Sequence, residues 1–143
     1  MNINQAGIDL IKRFEGCKLT AYPDQLACGL PTIGYGCTHN VKLGMTITQE
    51  QADEMLMNEL TVFQKGVRCL VTVDITQGML NALCSFSYNL GLQALKNSTL
   101  LKLLNQGKYS DAQDQFRRWI NAGGVPVKGL VARRAAEAEM FGS

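Results

Sequence analysis

F-E-G-C-K-L-T-A-Y-P-D-Q-L-A-C-G-L-P-T-I-G-Y-G-C-T, from Phe14 to Thr38, changes its periodicity part-way along. Just upstream, Asn4 can cap a helix whose apolar residues Ile8, Ile11 and Phe14 fall on one face, and Gly16 is placed to end it in a left-handed turn. Beyond Lys18 the spacing becomes strand-like: Leu19 to Tyr22 and Thr32 to Tyr35 are short runs separated by turn-rich Pro23-Asp24 and Cys28-Gly29-Leu30-Pro31. A helix end followed by a small hairpin or three-stranded sheet is the expected structure.

That geometry sets two carboxylates around one turn. Glu15 falls in the last helical turn, at the negative end of the helix dipole and beside Phe14 and Tyr22, a setting that suits a proton donor. Asp24, on an open turn, suits an ionised partner that handles water or stabilises positive charge on a sugar ring. The plainer readings are a surface glutamate and a turn aspartate after proline. Thr32 opens the second strand and would aim its hydroxyl between the carboxylates if the hairpin folds back; otherwise it is an ordinary β-branched strand residue.

Working outward, Thr48-Gln49-Glu50-Gln51 is a capping-box pattern leading into Ala52, Leu56, Leu60, Phe63, Val67 and Leu70 at steps of three and four, one long helix. Further helices are expected over Gln77 to Leu90, Ser98 to Gln106, Ser110 to Asn121 and Leu130 to Phe141. The last would carry Arg133, Arg134, Glu137 and Glu139 on its polar side. Met45, Met55, Met57, Met79 and Met140 read as core filler.

The 143 residues, 46% hydrophobic, fit one domain covering 1–143 with a real core. Within it we expect an N-terminal lobe with the hairpin (1–47), a connecting helix (48–71), a helical lobe (72–143) and a cleft between lobes. Net charge is +2, with four basic against seven acidic side chains in residues 1–60, so the acidic first part faces a basic remainder. This suits a polyanionic polymer, but no aromatic-interleaved basic stripe argues for nucleic acid. No run approaches the ~18–20 apolar residues of a membrane span, and Met1 to Gln5 lack signal-peptide blocks, so folding in a cytoplasm without stable membrane insertion is expected.

Other chemistries fit poorly. The five cysteines (Cys17, Cys28, Cys37, Cys69, Cys84) are odd in number and have no CxxC spacing, so mostly free thiols are expected. A Ser-His-Asp or Cys-His hydrolase would have to use His39, the only histidine, and lacks a nucleophile elbow. Cys28, Cys37 and His39 do not match paired zinc-ligand motifs, and Gly34 and Gly36 do not open a phosphate-binding helix. Neither metal nor cofactor is expected.

Several motifs occur in order: F-E-G with P-D downstream, P-T-I-G-Y-G-C-T, T-Q-E-Q-A, L-C-S-F-S-Y-N-L-G, N-S-T-L-L-K-L-L-N-Q-G and F-R-R-W-I-N-A-G-G-V-P-V-K-G-L-V-A-R-R-A-A-E. Together they resemble the phage-type lysozymes, the endolysins of glycoside hydrolase family 24, over nearly the whole chain. The resemblance implies an α+β, mainly helical fold and a muramidase that cuts the β-1,4 bond between N-acetylmuramic acid and N-acetylglucosamine in peptidoglycan, causing host lysis. It matches the family's catalytic residues to Glu15, Asp24 and Thr32 in an inverting arrangement, and makes Tyr88 and Asn89 candidate glycan contacts. It also implies a monomer held in the host cytoplasm until a holin releases it. A lytic transglycosylase and a non-catalytic cell-wall binding homologue are the alternatives. Two positions depart from the family pattern: the segment from Asp24 to Thr32 is longer, and Cys37 stands at the usual histidine position.

Overall fold

The computed structural model describes residues 1–24 and 28–143. Seven α-helices and two two-stranded antiparallel sheets are formed among the described residues, an α+β, mainly helical chain. It divides into two compact units, Lys12–Thr61 and Met1–Ile11 with Val62–Ser143.

The Lys12–Thr61 unit holds the end of α1 (Gln5–Glu15), the ribbon of β1 (Lys18–Asp24) and β2 (Leu30–Gly34), and the first part of α2 (Gln49–Leu70). Gly16 at φ 66 ends α1 in the expected left-handed turn, its amide donating to the Lys12 carbonyl at 3.0 Å. Cross-strand pairs run Tyr22 to Thr32, Pro23 to Pro31 and Asp24 to Leu30. Pro23, Asp24, Leu30 and Pro31 are therefore strand residues, not the turns expected from their sequence: proline needs no ladder donor at the edge of a two-stranded ribbon. The longer segment between Asp24 and Thr32 includes residues 25–27, which lie outside the described residues.

A third segment joins this ribbon by single bridges rather than as a full strand: Thr20 pairs with Thr46, and the Ala21 amide donates to Met45 at 2.8 Å. The capping box at the start of α2 is complete. Gln51 donates its amide to the Thr48 hydroxyl at 3.1 Å, and the Thr48 amide donates back to Gln51 Oε1 at 2.9 Å, a motif whose cap contributes about 1 kcal/mol. Ala52, Leu56 and Leu60 then bury one face of the helix, with Ile33, Tyr35 and Cys37 also in the interior of this unit.

In the other unit, Asn4 accepts from the Gly7 amide at 3.3 Å and so caps α1. The unit contains α3 (Gln77–Leu90), α4 (Leu92–Lys96), α5 (Thr99–Asn105), α6 (Tyr109–Gln115), β3 (Asn121–Ala122), β4 (Val125–Pro126) and α7 (Lys128–Phe141). Phe86 is its aromatic centre, meeting Phe116 and Trp119 edge-on at 5.6 and 5.3 Å between ring centres.

Three expectations need correction here. The helix expected over Ser110 to Asn121 is shorter: α6 passes into a single 3-10 turn at Phe116–Arg118, and the chain is extended by Asn121. Gly123 and Gly124, both at positive φ, form a tight hairpin turn that requires paired strands on either side. Arg133, Arg134 and Glu137 are not on a polar face but buried. Of the five methionines read as core, none is buried, and Met45 and Met57 are 37% and 42% exposed; the compact leucines and phenylalanines fill the interior instead.

Candidate active site

Residues directly opposite one another in an antiparallel pair, and those two apart along a strand, share a face. Tyr22, Asp24, Leu30 and Thr32 therefore line one face of the β1–β2 ribbon. Glu15 reaches the chain just beyond β2: its Oε1 lies 2.9 Å from where a side-chain carbon on Gly36 would stand. Only the missing side chain of Gly36, at φ 86, leaves room for the carboxylate.

Tyr22 registers both acids. Burial raises its phenol above the ordinary value, and the negative charges of Asp24 and then Glu15 raise it further. Glu15 and Asp24, both half-buried, thus act on one phenol from the end of α1 and the end of β1. Thr32 is 1% exposed and donates its hydroxyl to the Leu30 carbonyl at 2.9 Å. With the hydrogen so used, the oxygen faces any further partner as an acceptor.

Tyr22 and Gly36 were not singled out as site residues from sequence. Tyr22 was recoverable, since it precedes Asp24 by the two-residue period that puts both on one strand face. The role of Gly36 needs the three-dimensional approach of Glu15 and has no local signal. At Cys37, the histidine position of the family pattern, the side chain is buried, and its backbone exchanges two 2.9 Å hydrogen bonds with Ile33 across a tight turn. His39 is exposed.

The structure describes Tyr88 and Asn89 within the other unit, at the end of α3. Tyr88 packs edge-on against Phe63 at 5.4 Å, and Asn89 Oδ1 accepts from Arg134 at 2.8 Å. Arg134 in turn lies 2.7 Å from Glu137, which also accepts from Arg133 at 3.3 Å and from the Ser85 hydroxyl at 2.5 Å. Asn89 is thus the outer member of a buried ionic cluster rather than a simple helix cap.

A family model described as phage lysozyme matches residues 12–137. The chain belongs to the phage lysozyme family. It is 42% identical to an endolysin of Acyrthosiphon pisum secondary endosymbiont phage 1, over 100% of this chain and 99% of that one. An endolysin from Escherichia coli O157:H7 phage FAHEc1 superposes with a TM-score of 0.90 at 37% identity, covering 99% of this chain and 93% of that one. The muramidase domain of SpmX from Asticaccaulis excentricus gives a TM-score of 0.91 at 34% identity, covering 99% of this chain and 98% of that one. Family and relatives together make this chain a lysozyme, a glycoside hydrolase of the endolysin kind. Among the described residues no helix is long and apolar enough to cross a membrane.

Proposed function

We propose that this endolysin cleaves the β-1,4 bond between N-acetylmuramic acid and N-acetylglucosamine in peptidoglycan with Glu15 as general acid and Asp24 and Thr32 as the water-handling pair. The observation that carries the reading is geometric: within one unit, Glu15 stands against Gly36 just beyond β2, while Asp24 and Thr32 share one face of the β1–β2 ribbon. Glu15 protonates the leaving glycosidic oxygen as the bond to the sugar ring breaks. Asp24 takes a proton from a water attacking the opposite face, while the Thr32 oxygen accepts that water's second hydrogen and fixes its direction. Addition of water on the face away from the leaving group inverts the anomeric centre. Tyr88 and Asn89 contribute an aromatic edge and an amide suited to sugar hydroxyls and N-acetyl groups.

The protein acts as a monomer and reaches its substrate from the host cytoplasm through a holin. Family resemblance supports the route, and the origin of both carboxylates in one chain supports the monomer. Light scattering tests the first claim; fractionation of host cells with and without a co-expressed holin tests the second.

Digestion of purified peptidoglycan followed by mass spectrometry tests the reaction. Hydrated reducing ends are expected. Anhydro-muramic ends would mean a transglycosylase, and no soluble fragments at all would mean a wall-binding protein.

A further inference from the structure

A second polar cluster lies beside the Glu15 end of α1, built from side chains far apart in sequence. Lys12 Nζ is 3.2 Å from Asp53 Oδ1 and 5.3 Å from the centre of the Tyr35 ring. The Tyr35 hydroxyl donates to Asp53 Oδ1 at 3.3 Å. Gln49 Nε2 donates to the Tyr35 oxygen at 3.1 Å and to Asp53 Oδ1 at 3.0 Å, and Gln49 Oε1 receives a long contact from Cys17 Sγ at 3.8 Å. The last turn of α1, the turn after β2 and the first turns of α2 are joined in one ring of contacts.

Its position matters more than its strength. Lys12 and Glu15 are three apart on a helix and so neighbour each other on one face. Tyr35 and Gly36 are consecutive, so the same helical turn meets the same chain segment twice, Lys12 on Tyr35 and Glu15 on Gly36. The Lys12–Asp53 pair is 31% and 43% exposed, where an ion pair contributes little stability. Placement of a catalytic carboxylate, in contrast, is sensitive to shifts well under 1 Å, roughly. A ring of weak contacts that fixes two rigid elements can govern geometry without governing folding.

We propose that Lys12, Tyr35, Gln49 and Asp53 are positioning residues for the acid: the ring sets the rotation of the last turn of α1 against the turn after β2, and with it the angle at which Glu15 meets the glycosidic oxygen. This rests on the reading of Glu15 as the acid. Tyr35 fixes the ring through its hydroxyl, Asp53 gathers three donors on one oxygen, and Lys12 carries the constraint onto the helix that bears Glu15.

The test is steady-state kinetics of the full chain on soluble glycan-strand oligomers, with melting temperatures measured alongside. Tyr35→Phe and Asp53→Asn are expected to lower kcat about tenfold with KM unchanged and melting within about 2 °C of wild type. Lys12→Met should do the same, Lys12→Arg should recover most of the loss, and the Lys12→Met/Asp53→Asn double variant should lose much less than the product of the single losses. Wild-type turnover in Tyr35→Phe and Asp53→Asn, or losses that simply follow the melting temperature, would overturn the proposal. Glu15→Gln measured in parallel separates the two claims. An inactive Glu15→Gln with fully active ring variants overturns the ring alone, and an active Glu15→Gln overturns both.

Discussion

The Glu15 carboxylate occupies the space that a side chain on Gly36 would fill, with Oε1 2.9 Å from that point. Gly36 sits at φ 86, where a side chain costs about 1–2 kcal/mol in backbone strain. Gly36→Ala should therefore lower the melting temperature only modestly, by about 2–4 °C per kcal/mol. The displaced carboxylate should cost far more in turnover, about a hundredfold. Kinetics and calorimetry on the same preparation check this; equal, small effects on both would show that Glu15 need not stand against Gly36.

The buried cluster of Arg133, Arg134 and Glu137 makes the opposite prediction. All three side chains are at most 4% exposed, and Glu137 is the carboxylate that answers both guanidinium groups. Burial pushes its carboxyl up, while Arg134, the Ser85 hydroxyl and Arg133 pull it down. Glu137→Ala leaves two buried cations without that partner and should cost roughly 3–5 kcal/mol. Denaturant unfolding should show the loss, and a variant as stable as wild type would contradict it.

Asp53 carries a pH signature. Hydrogen bonds from Lys12 and Gln49 hold its carboxyl below the ordinary value against a small opposing effect of burial. A depressed carboxyl contributes stability that is present above the ordinary carboxylate range and lost as pH falls through the lowered value. The difference in melting temperature between wild type and Asp53→Asn should thus be constant near neutral pH and shrink as pH falls below the ordinary carboxylate range and through the lowered value. A difference that grows on acidification would reverse the sign of the assignment.

The thiols should separate by burial. None of the five is in a disulfide; Cys28 and Cys69 are exposed, Cys17 is half-buried, and Cys37 and Cys84 are buried. Burial pushes the Cys84 thiol up to about 12, only partly offset by the charge of Arg68, so it offers almost no thiolate near neutral pH. A disulfide reagent should label Cys28 and Cys69 fast, Cys17 slowly, and Cys37 and Cys84 only after denaturation. Rapid native labelling of Cys84 would contradict its placement in α3.

What could be read in the sequence was what is local. Asn4, Gly16 and the Thr48–Gln51 box announce helix ends through contacts a few residues long, and the hairpin follows from the change of period after Lys18. Glu15 stands out in the sequence because it closes a helix, whereas Asp24 reads as a turn residue after proline and is instead the last residue of β1, paired with Leu30. The early end of α6 was hidden because Phe116, Trp119 and Ile120 fit a helical period until the demands of the Gly123-Gly124 turn are counted. One-turn α4 is too short to show a period at all. Burial of Arg133, Arg134 and Glu137 depends on Ser85 and Asn89, some fifty residues earlier, and the ring around Asp53 joins Lys12 to Gln49 across the whole hairpin. Charged residues look exposed until their partners are known.

The most direct test of the account is the product of peptidoglycan digestion by wild type and Glu15→Gln, followed by proton NMR of the newly formed anomeric centre. The account predicts that wild type first releases the inverted anomer with a hydrated reducing end, and that Glu15→Gln folds normally and releases none. Undiminished release by Glu15→Gln, or a retained anomer from wild type, would contradict it.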